Sequence, residues 1–145
     1  MRYSVFNQGY RIAYEAFFAQ AVEPGAASLA FQAQLKQDIS NVLFMKGKRK
    51  LVGLEFGDMV DVLFEPAPLE GRVLTLQALK RKLREITTGG AEAFAALKKR
   101  KDIDRALPRL IVAITLTEAF GYTQIELSER ELGSALIIEA GAAKR

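Results

Sequence analysis

The chain has 145 residues, half of them hydrophobic and 26% charged, with 21 Lys and Arg against 17 Asp and Glu for a net charge of +4. That balance excludes a disordered or low-complexity chain, which lacks the apolar surface to offset its ordering entropy. The absence of His and Cys excludes a zinc site of nitrogen and sulfur ligands, a Ser-His-Asp triad, a thiol nucleophile, an imidazole base and any disulfide.

The length fits one domain over residues 1–145, since ~100–200 residues per domain is usual. Residues 10–22 are Ala-rich, with Tyr10, Tyr14, Phe17, Phe18 and Ala21 at helical spacing. The Glu23-Pro24-Gly25 run is expected to end this first helix. Ser28 is the expected cap of a second helix over 28–45, with Leu29, Ala33, Ile39, Val42 and Leu43 on its apolar face. Residues 51–65 are ambiguous. Val52, Phe56, Met59, Val60 and Leu63 suit a helix, but Gly53 and Gly57 weaken it by about 1 kcal/mol each against Ala. The alternative is a short β-hairpin within 51–64 turning at Gly57-Asp58, since β-branched and aromatic residues suit strands. The exposed placement that Asp58 and Asp61 would have on a helix tips the expectation towards helix.

Leu69 to Ile86 reads as a helix, with Val73, Leu76, Leu79, Leu83 and Ile86 on one stripe. Thr87-Thr88-Gly89-Gly90 breaks it, and Ala91 to Lys101 follows as a short helix burying Phe94 and Leu97. Asp102 or Asp104 caps the next helix, which carries Pro108 in its first turn and runs to Phe120 before Gly121. Tyr122 to Leu127 is expected to be extended, and Ser128-x-x-Glu131 is a capping box for a last helix to about Ala140. The expected fold is mainly α, a single compact bundle of six or seven helices with short loops.

The charge is uneven. Residues 36–109 carry 16 basic and 10 acidic residues, while 110–145 carry 3 basic and 5 acidic. Twelve of the 21 basic residues fall in three short windows: Lys46, Lys48, Arg49, Lys50; Lys80, Arg81, Lys82, Arg84; and Lys98, Lys99, Arg100, Lys101. Each alone reads equally well as a solvated end that offsets a helix dipole. Together they point to phosphate contacts that release counterions, with Arg105 and Arg109 in support. The aromatic residues do not interleave with the basic runs, so backbone contact is expected rather than base stacking. The acidic sets Asp58/Asp61, Asp102/Asp104 and Glu126/Glu129/Glu131 read as solvated surface or as favourable charge at helix starts. No cofactor or metal site is expected. The Thr87–Gly90 run has no Walker register and reads as an interhelical turn.

The expected function is a non-catalytic, mildly basic module, not an enzyme, that binds nucleic-acid backbone or another polyanion within a larger nucleoprotein assembly. The alternative is a structural or assembly protein, an oligomeric scaffold or virion component, whose basic clusters meet acidic surfaces of other proteins or of further copies of itself. An enzyme working with carboxylates, Lys or Tyr ranks last, because nothing in the sequence converges on a site. No signal segment or membrane span is legible. The expected location is the cytoplasm or a virion interior, by elimination.

Overall fold

A computed structural model describes residues 10–40, 51–54, 56–65 and 67–129 of the protein. In chain order the elements are α1 (Tyr10–Phe17), α2 (Pro24–Ser40), β1 (Val52–Leu54), α3 (Gly57–Leu63), β2 (Val73–Thr75), α4 (Leu76–Thr88), α5 (Gly90–Lys98), α6 (Ile103–Ala119) and β3 (Gln124–Ser128). The described residues are mainly helical, as expected, but they also form a small sheet of order β1-β3-β2. The expected last helix after Ser128 and the 41–45 end of the second helix lie outside the described residues.

α6 is the centre of the fold. It packs against the other five described helices and against β3. Its burial runs around the whole helix, through Ile103, Ala106, Leu107, Leu110, Ile111, Ala113, Ile114 and Thr117. A helix apolar on all sides belongs in the interior rather than on one wall. Full burial of a Leu or Ile stabilises by about 1.5–3 kcal/mol, and Leu107, Leu110 and Ile111 are each 0% exposed. Pro108 sits in the helix interior rather than its first turn, where it is buried. The helix ends at Gly121, whose φ of +74° lets the chain reverse. Gly121 N–H donates to Glu118 O at 3.1 Å and Tyr122 N–H to Thr117 O at 2.9 Å, the paired bonds of a Schellman motif. The turn delivers the chain into β3.

The segment 51–64 is neither one helix nor a hairpin, and both expectations are corrected. β1 pairs in parallel with β3, Val52 opposite Glu126 and Leu54 opposite Ser128, and α3 follows immediately. The reason lies at Gly53. A Cβ there would come within 2.9 Å of Ile125 Cδ1 and of the Phe56 ring. The glycine is therefore a close-packing position between strand and ring, and Gly57 opens α3 instead of turning a hairpin.

β2 pairs antiparallel with β3, Val73 opposite Glu126 and Thr75 opposite Gln124. The helix expected from Leu69 thus begins only at Leu76, and Val73 leaves the helical stripe for the exposed face of the sheet. Thr75 ends the strand and caps α4, its Oγ1 accepting from Ala78 N–H at 3.0 Å. Leu76 N–H donates to Thr123 O at 2.9 Å, which ties the start of α4 to the start of β3. Leu79 is the buried centre of α4, flanked by half-buried Leu76, Leu83 and Ile86.

α1 stops at Phe17, and Pro24 opens α2 rather than closing α1. Proline suits a first helical position because its missing N–H would be unpaired there in any case. Ser28 is accordingly not a cap. It lies inside α2 at 2% exposure, with its Oγ lacking a hydrogen-bond partner among the described residues. The two helices are joined through aromatic rings, Phe18 edge-on to Phe31 at 6.0 Å and Phe17 tilted on Phe31 at 5.2 Å.

Candidate functional site

Strand register defines two ends of the sheet. At the carboxyl ends of the parallel pair, Leu54 lies opposite Ser128. α3 departs from β1 at this end, and Asp58 in its first turn meets the amino-terminal half of α6. At the other end, Thr75 lies opposite Gln124 and α4 begins. In sheets of α/β type, ligands bind beyond the carboxyl ends of the strands.

The carboxyl end carries a charged cluster. Asp58 Oδ2 lies 3.4 Å from Arg109 Nη1 and 3.7 Å from Arg105 Nη1. The Arg109 side chain is 11% exposed, so its guanidinium joins α3 to α6, whereas that of Arg105 is 51% exposed and reaches solvent. Next to Arg105 in α6, Asp104 pairs with Arg11 of α1 at 3.3 Å. Burial, and after it the Asp104 carboxylate, push the Tyr14 phenol above its ordinary value, so it stays protonated at neutral pH. At the end of β3, Glu70 Oε2 accepts from Ser128 Oγ at 3.2 Å and from Glu129 N–H at 2.9 Å. Arg105 and Arg109, expected only as supporting phosphate contacts, are both engaged by Asp58. The Asp58/Asp61 pair divides, since Asp61 is exposed. Among the described residues no three carboxylates gather as a metal site.

At the amino end, a groove of about 630 Å³ opens between α4 and the start of β3. Lys80, Arg81 and Arg84 line it with Thr75, Gln77, Thr123 and Gln124, and no acidic residue does. Helical spacing explains the convergence, because Gln77, Lys80, Arg81 and Arg84 repeat every three or four residues along one face. Lys80 pairs with Glu118 of α6. Lys82 points elsewhere, to Glu85 at 2.9 Å and over the Phe64 ring at 5.6 Å.

The third basic window is divided by its own geometry. Lys98 Nζ donates to Ala21 O at 2.9 Å and to Ala19 O at 3.5 Å, and lies over the Phe94 ring at 5.0 Å. Arg100 donates to Val62 O near the end of α3. Both therefore brace loops and helix ends, while Lys99 and Lys101 face solvent. Lys46, Lys48, Arg49 and Lys50 lie outside the described residues. Sequence reasoning missed Thr75, Thr123 and Glu70. Thr75 could have been found as a capping Thr before the Leu76 stripe, but the other two become relevant only through strand register. No helix among the described residues is long and apolar enough to cross a membrane.

No family model and no curated protein matches the chain. Three solved structures of Ppx/GppA proteins from Aquifex aeolicus share its fold. A crystal structure of the Ppx/GppA family member superposes with a TM-score of 0.65 at 18% identity, over 94% of this chain and 47% of that one. A structure of the PPX-GPPA enzyme gives 0.62 at 19% identity, over 90% and 46%. The type II variant of the Ppx/GppA phosphatase gives 0.58 at 17%, again over 90% and 46%. The chain thus spans just under half the length of the structures it matches. At these identities the likeness establishes the fold alone.

That fold corrects the functional expectation. The architecture is one that phosphatase chains carry, so the non-catalytic nucleic-acid binder, the structural protein set beside it and the exclusion of an enzyme do not stand. The missing His and Cys do not exclude an enzyme. Their absence removes imidazole and thiol chemistry, but phosphoryl transfer rests on positioning and charge stabilisation, which Arg, Lys, Thr and carboxylates supply.

Proposed function

We propose that the chain forms one lobe of a phosphatase of the Ppx/GppA kind, with its catalytic face at the carboxyl ends of β1 and β3. The observation that carries this reading is the superposition of 94% of the chain on part of a Ppx/GppA family member at a TM-score of 0.65. The Asp58–Arg105–Arg109 cluster at that end supports it, because a guanidinium matches phosphate oxygens in a bidentate fork.

In this reading Arg105 takes the phosphate. Its side chain is half exposed, and Asp58 fixes the direction of its guanidinium. Arg109 holds the carboxylate from the buried side and acts as a positioning residue. The solvent-facing Lys99 and Lys101, just ahead of α6, raise the local anion concentration through their field. The half of the matched fold that these residues do not span supplies the facing wall, including the group that orients the attacking water.

The test uses the chain carrying a carboxyl-terminal tag, purified from its native cells with whatever stays bound. Phosphate release from p-nitrophenyl phosphate is expected to co-purify with it and to fall at least tenfold in Arg105→Ala, an effect of ~1.4 kcal/mol or more on the barrier. Release no greater than from an untagged control overturns the reading.

A further inference from the structure

The groove at the opposite end of the sheet has no part in that catalytic face, and its chemistry is of one sign. Eight described cations have a defined partner: Arg11, Lys80, Lys82, Arg105 and Arg109 face carboxylates, while Arg72, Lys98 and Arg100 face carbonyls. Arg81 and Arg84 line the same groove and have no ion-pair partner among the described residues. Two guanidiniums on one helix face repel each other, and the nearby Glu118 carboxylate is engaged by Lys80, so their convergence costs stability unless an anion lies between them. Thr75, Gln77 and Thr123 add hydroxyl and amide groups along the same wall. At about 630 Å³ the groove lies within the range of small-molecule sites.

We infer that this groove is a second, non-catalytic binding site for a small anion carrying two or more phosphate groups. Arg81 and Arg84 hold adjacent phosphates, and Lys80 completes the positive wall while Glu118 keeps it in place. A single phosphate engages one guanidinium and binds more weakly than a linked pair, because the second contact of a linked pair is intramolecular. The site does not depend on the catalytic assignment, since its residues lie at the amino end of β3 and those of the catalytic face at its carboxyl end.

Isothermal titration of the whole chain with sodium tripolyphosphate tests this. A site that persists in Arg105→Ala is expected, with inorganic phosphate binding to it at least tenfold more weakly. Arg81→Ala with Arg84→Ala is expected to weaken tripolyphosphate at least tenfold and to leave phosphate release from p-nitrophenyl phosphate unchanged. Arg105→Ala is expected to leave groove binding unchanged. Amide shifts of the wild-type chain on titration report independently of the variants and are expected at residues 75–84 and 123–124. The inference is overturned by absence of wild-type binding, by full affinity in the folded double variant, or by shifts confined to residues 99–109.

Discussion

Lys98 separates a structural cation from a ligand-binding one, and its replacement by Met isolates the ammonium because the aliphatic stem is kept. The ammonium bridges the end of α5 to the turn between α1 and α2, donating to Ala21 O at 2.9 Å and more weakly to Ala19 O at 3.5 Å. A hydrogen bond from a charged donor contributes about 1.5–3 kcal/mol. The lower end applies here, because Lys98 is only half-buried and water can reach the freed carbonyls. The Phe94 ring at 5.0 Å adds roughly 0.5–1 kcal/mol. Together these make a loss of about 2 kcal/mol. With a urea slope of about 2 kcal/mol per M, the unfolding midpoint falls by roughly 1 M. Lys99→Met, at an exposed neighbour, is expected to stay within about 0.5 kcal/mol of wild type. A Lys98→Met midpoint within about 0.2 M of wild type refutes the bracing role.

Two further stability predictions follow from specific contacts. Asp58→Asn leaves the 11%-exposed Arg109 side chain facing a neutral amide. Breaking a fully buried pair costs about 3–5 kcal/mol. Partial solvent screening of Asp58, whose side chain is 30% exposed, brings the expected loss to about 2 kcal/mol, read as a fall in melting temperature of ~4–8 °C. An unchanged melting temperature would show that α3 and α6 are joined by apolar packing alone. Gly121→Ala meets no atom within 4 Å, so its cost is purely conformational, from a φ of +74°. The expected loss is about 1 kcal/mol in urea unfolding, and a neutral result would place the Schellman turn in a different backbone geometry.

Helices with strong periodicity were legible in the sequence. The stripe Leu76, Leu79, Leu83, Ile86 declares itself because its burial repeats along the chain, and α6 because its apolar run is long and continuous. β1 and β2 were not legible, because three residues are too few to establish a period of two. Their partner is β3, far along the chain, and parallel pairing leaves no local turn signal. Gly53 weakened a helix that was never there, and only the Ile125 and Phe56 contacts reveal why a glycine is needed. Pro24 illustrates the reverse error. Proline both ends and begins helices, and its neighbours alone did not decide which.

The candidate site was legible as composition but not as arrangement. The windows at Lys80–Arg84 and Lys98–Lys101 stood out, yet equal charge concealed unequal roles. Arg81 and Arg84 open onto a groove, whereas Lys98 and Arg100 hold carbonyls. The Asp58–Arg105–Arg109 cluster joins residues whose proximity depends on α3 packing against α6. The fold that redirects the functional reading has no sequence motif in this chain, and it emerges only from the backbone superposition.

The most direct measurement is phosphate release from p-nitrophenyl phosphate by the natively purified chain, compared between wild type, Arg105→Ala and the Arg81→Ala/Arg84→Ala pair. A phosphatase lobe with its catalytic face at the carboxyl ends of β1 and β3 predicts activity in the wild type, at least a tenfold loss in Arg105→Ala and none in the groove pair. Wild-type release at the level of the untagged control, or a loss in the groove pair with Arg105→Ala unaffected, contradicts it.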